Sequence, residues 1–297
     1  MPLPPRHLAL ALLIIVVWGL NFAVIKVGLV GVPPLLLGAL RFLLAVFPAL
    51  LFVRPPKLPL RLYLVYGLTI SVGQFALLFS AISVGMPTGL ASLVLQAQSF
   101  FTLVLSALCL NERWKPSQLA GLALAGVGLA MIGSAHGQAM PLLGFLLTVA
   151  AAFAWASGNV VSRFVARHGP MNQFAFVVWA GLVPPIPFLL LSLWLEGPQA
   201  IAAALQGFGW ASFGAVAYLA WAATLLGYGL WTWLLARHPA NQVAPFSLLV
   251  PVVGLSTGWL LFDEQLLPVH FAGGALLMAG LLVNLWGERW LRRLKNA

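Results

Sequence analysis

Hydrophobic residues in this chain fall into long runs, and polar residues gather in short clusters between them. Ten runs can be marked, near 8–28, 34–53, 62–82, 89–110, 117–134, 141–165, 173–195, 209–235, 241–262 and 269–287. An α-helix needs roughly 20 residues to cross a hydrocarbon layer of about 30 Å, so each run has the length of a transmembrane helix. The breaks carry proline, glycine or charge: Val32-Pro33-Pro34, Arg54-Pro55-Pro56-Lys57, Gly85-Met86-Pro87, Asn111 to Pro116, His168-Gly169-Pro170 and Glu196-Gly197-Pro198. The fifth run is the shortest and is rich in glycine. Arg6 followed by the apolar stretch Leu8 to Val17 has the form of a signal peptide, but nine further spans behind it favour a retained first helix.

The pattern also repeats. A shift of 152 positions lays Pro87 on Pro239, Glu112 on Glu264 and Pro116 on Pro268, and lays Ala120-Gly121 on Ala272-Gly273 and Gly128-Leu129 on Gly280-Leu281. Each copy is an apolar run, a short turn carrying a Glu, and a second run opened by proline. Trp18 and Lys26 in the first run likewise echo Trp155 and Arg163 in the sixth, with the same spacing of eight. Five helices per copy is an odd number, so the second copy must enter the membrane upside down. The expected fold is all-α and integral to the membrane, with ten transmembrane helices as two inverted five-helix repeats. Its halves are residues 1–136 and 137–297, the latter ending in a short basic tail, 288–297.

Composition supports the membrane reading. Of the 297 residues, 62% are hydrophobic and 7% charged, where a soluble domain carries about a quarter charged; mean hydropathy is +1.02. A net charge of +10 would point to nucleic acid in a soluble chain. Here its placement explains it. With the N-terminus cytoplasmic, every Lys and Arg except Lys26 and Arg41 falls on the inner side, which is the positive-inside bias. Both termini are then cytoplasmic. The single cysteine, Cys109, excludes an intramolecular disulfide.

Polar residues inside the runs are the candidates for function. On the fourth helix Ser92, Gln96, Ser99, Thr102 and Ser106 share one face. The first helix offers Trp18 and Asn21, and the sixth a stripe of Thr148, Ala152, Trp155, Asn159 and Ser162. The third offers Tyr66 and Gln74, and the eighth Trp221, Thr224, Tyr228 and Trp231, an aromatic face suited to an ammonium group. For Trp231 interfacial anchoring is an equal reading. The ninth helix carries Ser247, Gly254 and Gly258, and its prolines, Pro245 and Pro251, free backbone carbonyls for substrate or for bending. Interhelical packing is the plain alternative for all of these. Arg41 is a charge inside the second helix; it lines a cavity, or else it snorkels or pairs with Asp263 or Glu264. Lys26, nearer its helix end, is expected to snorkel.

All five acids, Glu112, Glu196, Asp263, Glu264 and Glu288, fall at or near helix ends, so no buried carboxylate is expected to relay protons or bind a cation. Glu112 and Glu264, in matching turns, read as structural. Motifs of hydrolases, zinc proteases and phosphate-binding loops are absent, so an enzyme is not expected, nor a metal or cofactor. The runs Val17-Trp18-Gly19-Leu20-Asn21-Phe22, Leu40-Arg41-Phe42, Gly89 to Gln98, Gly227-Tyr228-Gly229 and Ser247 to Leu255 resemble the drug/metabolite transporter superfamily in its EamA-domain branch, most closely its O-acetylserine and cysteine exporters. The resemblance implies alternating-access export of small amino-acid-like metabolites across a bacterial inner membrane. The expected substrate-cavity residues are Trp18, Asn21, Arg41, Gln74, Ser92, Gln96, Trp155, Asn159, Tyr228 and Ser247, with Pro245 and Pro251 as helix breaks. The partners are a small-molecule metabolite and the lipid bilayer, with no nucleic acid and with a homodimer left open. Two rivals stay open: a carrier of the same fold for nucleosides, sugars or other amino acids, and a non-transporting membrane interaction protein.

Overall fold

The structure, a computed structural model, describes residues 3–135, 140–169 and 171–295, with side chains omitted at 240, 241 and 288–295. The expected division at 136 and 137 lies outside the described residues, as do Pro170 and the side chains of the tail 288–297. The helices are α1 (Pro5–Gly28), α2 (Pro34–Ala49), α3 (Leu60–Ser83), α4 (Thr88–Leu110), α5 (Pro116–Ser134), α6 (Leu142–Ala166), α7 (Gln173–Glu196), α8 (Trp210–Arg237), α9 (Ala244–Phe262) and α10 (Pro268–Lys295). Among the described residues there is no strand. Nine of these helices are long and apolar enough to cross a membrane, and α2, at 16 residues, is shorter.

Proline sets most of the boundaries. Pro5, Pro34 and Pro116 occupy the first turns of their helices, while Pro4, Pro33, Pro59, Pro87 and Pro141 stand at the N-cap. There the missing N–H has no intrahelical partner to lose. α2 leaves helical geometry at Phe47, the residue before Pro48, because a following proline disfavours the α region. α7 breaks at 181–184, with Pro184 in the break and Pro185 opening the helix that resumes after it. The helix expected over 241–262 opens instead as a single turn, Ala240–Val243, followed by α9.

Helices distant in sequence pack together. α1 lies against α8 and α9, and α6 lies against α3 and α4. The last helices, α5 and α10, cross face to face, Gly121 on Gly280 and Gly128 on Gly273; a Cβ at any of the four would come within 2.7 Å of the opposite carbonyl oxygen. Glycine is required for so close a backbone approach. α2 runs antiparallel to α7. Its start is held by Glu196, which accepts from Leu35 N at 2.7 Å and Leu36 N at 3.2 Å, and the carbonyl of Val53 beyond its other end accepts from Trp179 Nε1 at 2.8 Å. Outward faces stay apolar, with Trp210 88% exposed near a helix end, as lipid contact requires.

Candidate functional site

Four helices lose regular α geometry at the centre of the bundle, and the irregular stretches pair up. α3 widens to a π-helix over Gly67–Gly73 and α8 over Tyr218–Leu226. α4 tightens to a 3-10 turn over Leu95–Ala97 and α9 over Ala244–Leu249. Under the 152-residue spacing 67–73 falls on 219–225 and 95–97 on 247–249, so the same distortion recurs at the same place in each copy. π and 3-10 stretches shift the register of all later side chains and release carbonyls from the helix ladder.

Around these stretches lies a cavity of about 290 Å³. α1 places Trp18 and Asn21 on it, α2 Arg41, α3 Gln74, and α4 Ser92 and Gln96. From the later helices come Trp155 and Asn159 of α6, Tyr228 of α8 and Ser247 of α9. All ten residues expected from the sequence thus share one cavity. Tyr66, Phe75, Gln98, Ser162 and Trp231 line it too. A second cavity of about 300 Å³ continues from Gln96, Gln98, Asn159 and Ser247 toward Asn284 of α10.

Several of these polar groups are already satisfied within the protein. Trp18 Nε1 donates to the carbonyl of Ala223, inside the π stretch of α8, at 3.0 Å, and its ring lies 5.5 Å from Tyr228 and 5.2 Å from Trp231. Its indole face is therefore what the cavity meets. Gln96 Nε2 donates to the carbonyl of Ser247 at 3.2 Å. Pro251, four residues on, lacks the N–H that would otherwise take that carbonyl. That oxygen also accepts from Val250 N, so it is engaged within the protein; of the two expected uses of a carbonyl freed by proline, substrate binding or bending, the first does not apply to it. Asn159 Nδ2 donates to Gln98 Oε1 at 2.8 Å and to Thr102 Oγ1 at 3.1 Å. Ser92 bonds the carbonyl of Gly89 and sits against Gly254.

Arg41 is different. It is 2% exposed, and Nη2 donates to Thr224 Oγ1 at 3.1 Å. Thr224 is aimed by the π stretch, since its hydroxyl donates five residues back to Leu219 O at 2.8 Å. The guanidinium lies 4.0 Å from the centre of the Phe75 ring. Among the described residues Arg41 Nε and Nη1 have no partner, and neither do Asn21 Oδ1 and Gln74 Oε1. A small void of about 30 Å³ adjoins Arg41 on the side of Thr224 and Ser71.

Other expectations are corrected. Arg41 neither snorkels nor pairs with Asp263 or Glu264. Lys26 does not merely snorkel: its Nζ lies 2.9 Å from Glu264 Oε1. Of the face on α4, Ser99 and Thr102 line the second cavity and Ser106 is buried with no partner for its hydroxyl, because the 3-10 turn rotates Gln98 inward in their place. Thr148 is fully buried and bonds the carbonyl of Gly144, and Trp221 donates outward to Leu44 O. Trp231, at least equally expected as an interfacial anchor, lies on the cavity. The sequence pattern does not single out Phe75 or Gln98. Gln98 stood beside a face read in unbroken α spacing, and Phe75 follows Gln74 with Phe79 one turn on, an aromatic pair only the buried cation makes meaningful.

Comparison with known proteins gives this geometry its context. A probable amino-acid metabolite efflux pump of Salmonella typhimurium is 53% identical over 283 residues, covering 94% of this chain and 95% of its own length. One of the same description from Escherichia coli is 50% identical over 289 residues, covering 96% and 97%. A solved crystal structure shares the fold, with a TM-score of 0.65, 21% identity and coverage of 97% of this chain and 98% of its own. The EamA-like transporter family matches residues 6–134 and 142–286. This chain, a multi-pass membrane protein, belongs to the EamA-like transporter family of the drug/metabolite transporter superfamily.

Proposed function

We propose that the protein exports small amino-acid-like metabolites, of the O-acetylserine and cysteine type, across the inner membrane by alternating access through the central cavity. On this reading ten helices span the bilayer as two inverted repeats, 1–136 and 137–297, with both termini cytoplasmic. The exchange of α1 and α6 between the two sets of helices, the paired π and 3-10 stretches and the crossing of α5 on α10 support the repeat. The bond of Glu196 at one end of α7 to the start of α2, and that of Trp179 toward the other end to Val53 just beyond α2, support a crossing by that shorter helix. The two matched stretches, 6–134 and 142–286, support the division, and the relatives named as amino-acid metabolite efflux pumps support the cargo.

One observation carries the reading: ten polar or aromatic residues, scattered over seven helices and both copies, converge on one cavity. Transport folds place their site at such a repeat interface. The chain itself performs no reaction, and Pro245 and Pro251 mark where α9 bends.

The test is efflux from liposomes holding purified protein and labelled O-acetylserine, for the intact chain, Trp18→Ala and Arg41→Ala. Efflux above empty liposomes, reduced at least tenfold in both variants while they fold normally, is expected. No efflux under a proton gradient of either sign would remove the cargo assignment.

A further inference from the structure

Among the described residues the charge inside the cavity has no counter-charge, and no carboxylate pairs with Arg41. Glu264 is engaged by Lys26, Thr88 and Gly89, Glu196 by Ser192 and the start of α2, and Glu112 by Arg163. A guanidinium buried at 2% exposure with two idle nitrogens is a costly arrangement unless something completes it. Nη2 gives one of its two hydrogens to Thr224. The other can join Nε on the side of the group, or Nη1 at its end, to form a fork. Either fork presents two parallel N–H bonds, the geometry that a carboxylate accepts. Phe75, against the guanidinium face, leaves its edge as the side open to bonding.

The other idle atoms on the cavity are acceptors. Asn21 Oδ1 and Gln74 Oε1 are buried and have no donor, and Gln74 is 2% exposed. Neutral amide oxygens accept from an ammonium or an amine without carrying a charge that would select for it. The two kinds of idle group are thus complementary to the two ends of one small molecule.

We infer that this cavity recognises its cargo chiefly as a carboxylate held on Arg41, with the amino group met by Asn21 and Gln74, so that an esterified or decarboxylated amino acid is rejected and an amine-blocked one is weakened less. The inference rests on the exporter reading above and assigns polarity within its site. It also excludes amino acids of net positive charge, because the cavity already holds one uncompensated cation.

Binding separates the two. Melting of the purified full chain in detergent is followed with S-methyl-L-cysteine, its methyl ester, S-methylcysteamine and N-acetyl-S-methyl-L-cysteine. Stabilisation by the free acid at a concentration at least tenfold below that needed for the ester or the amine is expected, with the N-acetyl compound between. Arg41→Lys, which keeps the charge and loses the fork, is expected to lose most of that discrimination. Gln74→Leu is expected to erase the difference between the free and acetylated amine while preserving the preference for acid over ester. The comparison of acid with ester in the unaltered chain stands even where a variant fails to fold. Equal binding of acid and ester, with efflux of the acid intact, overturns the inference and leaves the exporter reading standing. No response to any of the four probes, with no efflux of O-acetylserine, overturns both.

Discussion

Asn111 and Asp263, aligned by the 152-residue spacing, both take left-handed backbone, with φ of 56° and 50°, and each is followed by a glutamate. Asn and Asp are the side chains that tolerate this conformation best after glycine. The two turns nevertheless grip differently. Glu264 is 8% exposed; it accepts from Thr88 N and Gly89 N at the start of α4, from Thr88 Oγ1, and from Lys26 of α1. Glu112 is 48% exposed and forms an ion pair with Arg163 of α6 on the surface. The segments beside them differ in the same sense. Residues 92–97 are buried throughout, while in their counterparts Ala244–Leu249 no residue is buried. One end of the bundle is therefore drawn shut around a carboxylate that bridges two helices and caps one. The other end, toward which the second cavity runs, is held only by an exposed pair. Local sequence makes the two turns alike, and tertiary packing makes them unlike.

The largest expected effect comes from breaking the tight grip. Glu264→Ala leaves two buried N–H groups at the start of α4 without an acceptor, which costs about 2–4 kcal/mol. Glu112→Ala removes an exposed pair worth at most about 1 kcal/mol. Reversible unfolding of both variants in detergent measures the difference. In a Cys109→Ser background, a cysteine at Leu90, where the native side chain is fully buried, should become open to maleimide in the Glu264 variant and stay protected in the Glu112 variant. Equal costs, or equal labelling, would break the comparison.

Where α5 crosses α10 the copies match, and the next prediction sharpens the contrast by expecting equality. Gly121→Ala and Gly273→Ala each push a methyl group onto a facing carbonyl, so each should cost about 1–3 kcal/mol, the range for overpacking. Gly126, on the same helix, has nothing within 4 Å of where its Cβ would lie. Gly126→Ala should therefore gain up to about 1 kcal/mol from helix propensity. A large inequality between Gly121→Ala and Gly273→Ala in the same unfolding assay would mean that the symmetry of the crossing is only apparent.

The helix boundaries were legible because proline and charge interrupt the runs for reasons local to the backbone; Pro87, Pro116 and Pro268 mark helix starts in any context. The cavity residues were legible because polar side chains are scarce here and costly in lipid, so Asn21, Gln74 and Asn159 stood out without any alignment. What resisted was everything decided by contacts distant in sequence. The π and 3-10 stretches leave no trace in composition, since Gly67–Gly73 and Leu95–Ala97 read as ordinary apolar helix. Gln98 entered the cavity through a register shift that α spacing does not contain. Lys26 lies 238 residues from Glu264, so its place near a helix end said snorkelling when its role is an ion pair.

The smallest expected effect concerns the two cations. Arg163→Gln removes a charge whose side chain is 47% exposed and whose partner is equally exposed, so the loss should be a few tenths of a kcal/mol to about 1 kcal/mol. Salt should abolish it, because at about 1 M the screening length falls to roughly 3 Å. Lys26→Gln leaves the Thr88 and Gly89 donors on Glu264 and should cost only about 1 kcal/mol. The carboxylate it bonds is almost fully buried, and screening acts weakly there. That loss should therefore persist when melting is measured in high salt. If salt removed both losses alike, the Glu264 end would be as open to solvent as the Glu112 end, and the difference between the two turns would reduce to the backbone bonds alone.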